Sequence, residues 1–456
     1  MEPIRRNWTQ KAKNSCAAWI RIVTMSGAVL VALNMTNPAF ALNFCAPLPP
    51  PSGPTVIVTP AQAAQLPSII ASATSGTTIL LEDGTYTIGD SSLWISTSSV
   101  TLRSRSGNRS AVVLDGQYQT AAMIDIAASD VTIADLTIQS VLWHPIHLVG
   151  NGHRAMLYNL HLMDAGQQYV KINPSGTPLA YNDYGTVACS LIELTDAGRA
   201  HVDTVGGTYP CYTGGIDGHQ AWGWNIRDNV FKNIYCTNGS VAEHAVHFWD
   251  SSRGTVVERN RIINCARGIG FGLGSTGPTG RSYPDNPLQG VSGYVGHIGG
   301  VIRNNFIFGD IGGYFNVGIG IEQALDAKIS HNTVFSAGGT FSSIDSNFPN
   351  TNAVIRNNLV FPAMTVRNEA NPTRQNNVES AGSGLFVDEA SGNLHLVSTA
   401  RVAIDQGMDI RSEVPSDMDG DVRDSQPDVG ADEFVKGGSP VPDSIPPSNP
   451  QGLKVK

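Results

Sequence analysis

Several short stretches of this 456-residue chain alternate apolar residues with residues able to move protons. Ile146 and Leu148 flank His147, Ile216 stands before Asp217 and His219, and Val246 and Phe248 alternate with His247 and Trp249. Successive side chains of a strand point to opposite faces, so an apolar inner row turns these residues outward. Two later stretches leave only Gly270 and Gly272, then Gly318, Gly320 and Glu322, on the outer face. If such strands stack as neighbours about 4.8 Å apart, His147, Asp217, His219 and His247 share one column beside a glycine floor. A floor without side chains admits a ligand. A lone outward histidine is ordinarily just solvated, but three histidines converging with an aspartate suit general acid–base chemistry near neutral pH.

Other candidates surround this column. Glu243, His244 and Arg267 lie at the leading edge of the strands, where they reach over the groove or simply form exposed ion pairs. Asp250 falls inward in the same register, as a buried polar anchor. Lys171, His201, Asp203 and Tyr212 belong to a long excursion from Gln167 to Gly215. Excursions of that length in a regular fold are commonly functional, although they also serve to cover an end.

The elements that must position these residues announce themselves as a repeat of the form apolar-x-x-Asn-x-apolar. It recurs at Ile226 to Phe231, Val257 to Ile262, Ile302 to Ile307, Ile329 to Val334 and Ile355 to Val360. The asparagines, Asn229, Asn260, Asn305, Asn332 and Asn358, are 31, 45, 27 and 26 residues apart, the length of one solenoid coil plus variable loops. The widest gap holds an insertion, Ser275 to Gly300. Weaker coils precede these, around Asp135 and Asn159. Asparagine tolerates the left-handed conformation of a sharp bend, and its amide both donates and accepts, so stacked copies can bond from coil to coil. Short apolar alternations without long 3.6-residue periodicity predict strands rather than helices. The exception is Pro60 to Ala73, where Thr59 and Pro60 supply an N-cap and a first-turn proline for a short helix capping the N-terminal end.

The ends of the chain set its compartment and charge. Arg5, Arg6, Lys11, Lys13 and Arg21 precede an apolar run, Met25 to Leu33, ending at Ala39-Phe40-Ala41, which reads as a signal peptide over residues 1–41. No stretch reaches the roughly 20 apolar residues of a transmembrane helix. Cleavage removes five positive charges and one negative, turning the net charge of −9 into −13, which argues against nucleic acid as a partner. Residues 42–58 form an N-terminal extension, 59–435 one solenoid domain, and 436–456 a proline-rich tail whose last residues resemble the opening strand of a fibronectin type III module. Five cysteines follow the leader, and none has metal-binding spacing. Spacing permits a Cys236–Cys265 disulfide between adjacent coils, with Cys189–Cys211 tying the excursion and Cys45 free; other pairings stay open.

Thr78 to Tyr86 is similar to a first coil, and Asp419-Gly-Asp-Val-Arg423 with Asp428 to Glu433 to a closing phrase, of the right-handed parallel β-helix superfamily of secreted polysaccharide lyases, epimerases and related proteins. The resemblance anchors roughly residues 55 to 435 and implies an all-β, single-stranded, right-handed parallel β-helix. It implies a polysaccharide partner more loosely, since one fold hosts many sites. Asp217-Gly218-His219 resembles the Asp-Pro-His motif of alginate epimerases, with glycine in place of proline. By that likeness His219 is the base, Asp217 neutralises the sugar carboxylate or orients the histidine, and Tyr212 stands upstream at a different spacing.

The chemistry agrees in outline. Abstracting the proton beside a uronate carboxylate needs a base, a group absorbing the carboxylate's charge and a second proton carrier, roles for His219, Arg267 and His247. His147, His244, Glu243, Tyr212, Trp249, Gly270 and Gly272 would contact substrate. The expected activity is that of a uronate lyase or C5-epimerase, working as a monomer. The alternatives are a glycoside hydrolase pairing Asp217 with Glu243 or Asp203, and a non-catalytic binder using Trp222, Trp224 and Trp249. A net negative chain repels a polyanion, so a local arginine or Ca²⁺ must offset it. Asp417, Asp419 and Asp421 cluster oxygens but misplace the glycine of an EF-hand loop, reading first as a terminal turn and second as a calcium site.

Overall fold

The computed structural model describes residues 44–202, 211–275, 280–336 and 338–436. The expected leader, Asp203 and the tail beyond 436 lie outside the described residues. Three long sheets run side by side: a base sheet of 12 strands, a front sheet of 10 and a back sheet of 10, every pairing within them parallel. Each coil gives one strand to each sheet. Asn225–Arg227, Val230–Lys232 and His244–Trp249 make one coil, and each pairs with its equivalent in the next: Val256–Glu258, Arg261–Ile263 and Arg267–Gly272. Parallel crossovers wind right-handed, and the chain is a right-handed parallel β-helix.

The core is a set of stacks. Ile133, Leu157, Val187, Ile226, Val257, Ile302, Ile329 and Ile355 meet coil over coil in strict register, all fully or almost fully buried. Each such side chain contributes about 1.5–3 kcal/mol by leaving water. Thr55–Val58 already pairs with Thr78–Leu81, so the solenoid takes in the end of the expected extension. The capping helix forms as a 3₁₀ turn, Pro60–Gln65, continued by the α-helix Leu66–Ala71. Thr59 N–H donates to Gln62 Oε1 at 3.0 Å, and Leu66 and Ile70 plug the open end.

The asparagines form one continuous ladder. The Nδ2 of Asn229, Asn260, Asn305 and Asn332 each donates to the Oδ1 of the next, at 2.9–3.0 Å, and Asn358 hands on to Asn377 at 2.9 Å. The expected left-handed bend lies one residue earlier. Asp228, Arg259, Asn304, His331 and Asn357 have φ of 51–58°, and Asp135, Asn159 and Cys189, at 48–58°, occupy that same position in earlier coils.

The disulfide expectation is corrected. The pairs are Cys45–Cys189 and Cys211–Cys236, with Cα separations of 5.6 and 6.0 Å, and Cys265 is free. Cys265 points into the core, out of reach of Cys236, and burial pushes its thiol up to about 12. Cys236 lies outside the sheets beside Cys211, Ala242 and Ala266. The extension crosses the base sheet so that Leu48 and Cys45 pack on Tyr158 and Cys189.

Three further expectations change. Asp250 lies half-buried in a turn with φ of 54°, accepting from Gln220 Nε2 at 2.8 Å, rather than inside the core. Trp224 is a core residue whose Nε1 donates to Asn182 O at 2.8 Å, so it offers no face to a sugar. The excursion from Gln167 to Gly215 is a regular coil, with strands Gln168–Ile172, Thr186–Ala188 and Leu191–Glu193 before its loop. Beyond Thr373–Gln375 the chain folds back on the back sheet, burying Leu394, Leu396 and Val429 against Phe306, Phe308 and Leu359. There Asp417 accepts backbone N–H groups of Asp419, Asp421 and Glu433, each at 2.9 Å, and so closes a terminal turn.

Candidate functional site

Register on the front sheet sets which residues are neighbours. The central outward column reads Trp94, Asp125, His147, Lys171, Asp217, His247, Gly270, Gly320, Asp345 and Thr365. Lys171 therefore sits between His147 and Asp217. His219 belongs to a second column, beside Trp249, and His244 to a third, beside Arg267. This third column exists because each strand carries two consecutive inward residues, such as Ala245 and Val246, both fully buried. Strict alternation would have turned His244 away from His247.

The centre is an ion pair beneath the groove surface. Lys171 Nζ donates to Asp217 Oδ2, and each side chain is about 7% exposed. The same ammonium donates to the Tyr212 phenol at 3.3 Å and lies 3.1 Å from His219 Nε2. His219 Nε2 is also 3.2 Å from Asp217 Oδ2, and Trp249 Nε1 donates to Asp217 Oδ1 at 2.8 Å. Burial opposes the charge on Asp217, but Lys171 and His219 beside it outweigh that and hold the carboxyl well below the usual range. For Lys171, burial is likewise outweighed by Asp217 and Tyr212, so its pKa rises and the ammonium persists. Tyr212, His219 and Trp249 remain partly exposed at the groove surface.

A second cluster adjoins it. Glu243 Oε2 is 3.7 Å from His244 Nδ1, 3.7 Å from His247 Nδ1 and 3.8 Å from Arg267 Nη1. Burial would raise the Glu243 carboxyl, but the two histidines and Arg267 bring it down to about 2. Burial keeps His244 neutral, with a pKa of about 3. His247 is buried and its Nε2 bonds the Gly272 carbonyl at 2.9 Å, while its Nδ1 stands 4.0 Å from Asp217 Oδ1.

The glycine floor is only partly open. The His244 imidazole lies over Gly270, where an added Cβ would come within 2.8 Å of the ring. Gly272 has φ of 76°, and a side chain there would strike the Glu322 carbonyl, so its glycine serves the backbone. Gly320 is unobstructed, with nothing nearer than His244 Nε2 at 3.5 Å to a would-be Cβ.

Toward the N-terminal end the same face carries a cleft of about 600 Å³ lined by Asp90, Asp125, Trp143, His144 and His147. His147 Nδ1 is 3.3 Å from Asp125 Oδ1. Trp94 and Trp143 expose 49% and 37% of their surface, enough for an aromatic face to meet a ring.

The structure thus gathers Asp217, His219, His247, Trp249 and Tyr212 around Lys171, and Glu243, His244 and Arg267 beside them. His147 is one coil removed. His201 stacks on Tyr118 at 3.7 Å instead of joining them, and Trp222 packs on Tyr184 and Tyr283 along another edge. Lys171 is the central residue that strand alternation could have placed, since Val170 and Ile172 flank it as Ile146 and Leu148 flank His147.

No family model and no curated relative matches the chain. Among solved structures it is similar to the pectate lyase Pel9A, at 14% identity and a TM-score of 0.50, covering 84% of this chain and 97% of that one. The likeness is one of fold. An alginate lyase from Paenibacillus sp. str. FPU-7 aligns at 14% identity and a TM-score of 0.41 over 71% of this chain and 99% of its own. PfbA, a surface adhesin of Streptococcus pneumoniae, aligns at 12% identity and 0.43 over 66% and 84%.

Proposed function

We propose that the protein is an exported, monomeric polysaccharide-active enzyme, a uronate lyase or C5-epimerase, with its reaction centred on Lys171, Tyr212, Asp217 and His219. One observation carries this reading: a phenol and an imidazole, both reaching the groove surface, contact the same buried ammonium. Proton transfer on two sides of a sugar carbon needs two such carriers held apart and fixed in place. His219 takes the proton next to the carboxylate, Arg267 meets the carboxylate, and Tyr212 returns or delivers a proton. In the lyase, the electron pair forms the carbon–carbon double bond as the glycosidic oxygen leaves and is protonated. In the epimerase, the proton returns to the opposite face and no bond of the chain breaks. His247, buried behind Asp217, acts by positioning.

The carboxylates weigh against hydrolysis. A glycoside hydrolase needs one carboxylic acid that carries a proton at working pH, whereas Asp217 and Glu243 are both held low. A binding-only role would rest on Trp94, Trp143 and Trp249, and gives the Tyr212 phenol and His219 imidazole on the buried ammonium no task. Two disulfides support export, and no helix among the described residues is long and apolar enough to cross a membrane. Calcium at the Asp417 to Asp421 turn is a structural aid in this reading, to be checked by running the assays with and without chelator.

The test is incubation with polygalacturonate, alginate and neutral glycans, following unsaturated ends, reducing ends and solvent-deuterium uptake at carbon. Unsaturated ends mark the lyase and deuterium uptake without them the epimerase. Reducing ends without unsaturation, or an activity that survives both His219→Ala and Tyr212→Phe, would sink the reading.

A further inference from the structure

We propose that Glu243, His244 and His247 form a binding site for a divalent first-row transition-metal ion of the zinc type. Each of the three offers a donor atom within 4.8 Å of the other two, and Glu243 Oε2 stands 3.7 Å from both His244 Nδ1 and His247 Nδ1. Ligands about 2.1 Å from a tetrahedral ion are roughly 3.4 Å apart. The two carboxylate-to-imidazole distances of 3.7 Å therefore need to close by only a few tenths of an ångström.

Two independent observations point to an occupant. His247 Nε2 faces the Gly272 carbonyl, which can only accept, so that nitrogen carries the proton. In the neutral ring Nδ1 is then a bare lone pair, yet it faces Glu243 Oε2 at 3.7 Å and Asp217 Oδ1 at 4.0 Å. A nitrogen held between two carboxylates needs a positive charge there, either a proton on the ring or a metal ion in its place. His244, 8% exposed, has its Nδ1 buried without a hydrogen-bond partner and directed at the same carboxylate. Gly270 lets that ring lie flat in this orientation, since any side chain there would push it away.

The donor set selects the ion. Two imidazoles and one carboxylate match the three-ligand pattern of open zinc sites and suit borderline metals, whereas calcium prefers oxygen throughout. Nearby charge permits it. Lys171 is spent on Asp217, and Arg267, the other cation at 3.8 Å from Glu243, has a side chain 28% exposed and free to turn outward. Glu243 is the most accessible of the three, leaving a coordination position on the groove side for a water or an oxygen ligand. The site stands on its own geometry and does not depend on the reaction proposed above.

Chelator-stripped protein titrated with Co²⁺, read by its visible d–d absorption, and with Zn²⁺ by competition, is expected to take up one ion with nitrogen ligation. Glu243→Gln and His244→Asn should each weaken binding at least tenfold, with circular dichroism confirming the fold. Arg267→Met, which removes the competing cation, should tighten it and covers the case in which the first two variants fail to fold. His395→Asn tests the other grouping of this kind among the described residues, His395, Asp419 and Asp432, and should leave the uptake unchanged. Absence of uptake, uptake lost only in His395→Asn, or Arg267→Met binding no tighter than the parent would overturn the proposal.

Discussion

Lys171 and Asp217 face each other in register on neighbouring coils, and their ion pair is buried under the groove that it organises. Breaking a buried pair from one side leaves an uncompensated charge and typically costs about 3–5 kcal/mol. Lys171→Met should therefore destabilise the protein by about that amount in denaturant titrations. The double variant Lys171→Met/Asp217→Leu should recover much of the loss, because no charge is then stranded. A single variant as stable as the parent would mean that the pair is solvated.

His219 and Tyr212 should carry activity and little stability, being partly exposed. His219→Ala and Tyr212→Phe should each lower kcat by about 10²–10⁴ with an unchanged melting temperature. Lys171→Arg should fail to restore activity, since a planar guanidinium does not reproduce a compact ammonium that meets three partners.

Acid should loosen the fold below pH 6.5. His144 and His297 are buried, and burial lowers each to about 3. Their folded-state values lie below the unfolded one, so the unfolded chain binds more protons between those limits and stability falls as pH falls through that window. Each histidine contributes about 1.4 kcal/mol per pH unit there. Replacing His297 by Gln should flatten the slope of unfolding free energy between pH 6 and 4; an unchanged slope would place its titration elsewhere.

The amide ladder should behave as one unit. Asn305 accepts from the backbone and side chain of Asn260 and donates to Val257 O, Arg303 O and Asn332 Oδ1. Asn305→Leu leaves several buried groups unpaired, at about 1–3 kcal/mol each, and should lower Tm more than Asn377→Leu at the half-buried end of the row.

The solenoid was legible because its signal is repeated. Five asparagines at coil spacing and the alternation around His147, Asp217 and His247 each fix a register, and a one-residue slip would put every core side chain into water. The bend was read one residue late because Asn229 and Asn260 follow their left-handed residues, Asp228 and Arg259, and propensity alone does not separate the two positions. Lys171 was misplaced because the asparagine pattern lapses there, with Leu160 and Ser190 standing where later coils have Asn, and so the stretch read as an excursion. The disulfides were beyond reach, since the path of the extension across the base sheet leaves no mark in spacing. His244 joined His247 on one face only through two successive inward residues, which alternation does not foresee.

Two of the solenoid's fastenings divide its length between them. A solenoid frays from its ends, because each coil holds only its neighbours. The Cys45–Cys189 bond, spanning 144 residues, clasps the early coils, while the amide row begins at Asn229 and binds the later ones. Lys171, Asp217 and His219 lie where one fastening hands over to the other. Reduction should thus unzip the protein from its N-terminal side and stop near this seam, so that proteolysis under reducing conditions would yield a resistant C-terminal core from which Lys171 has been lost.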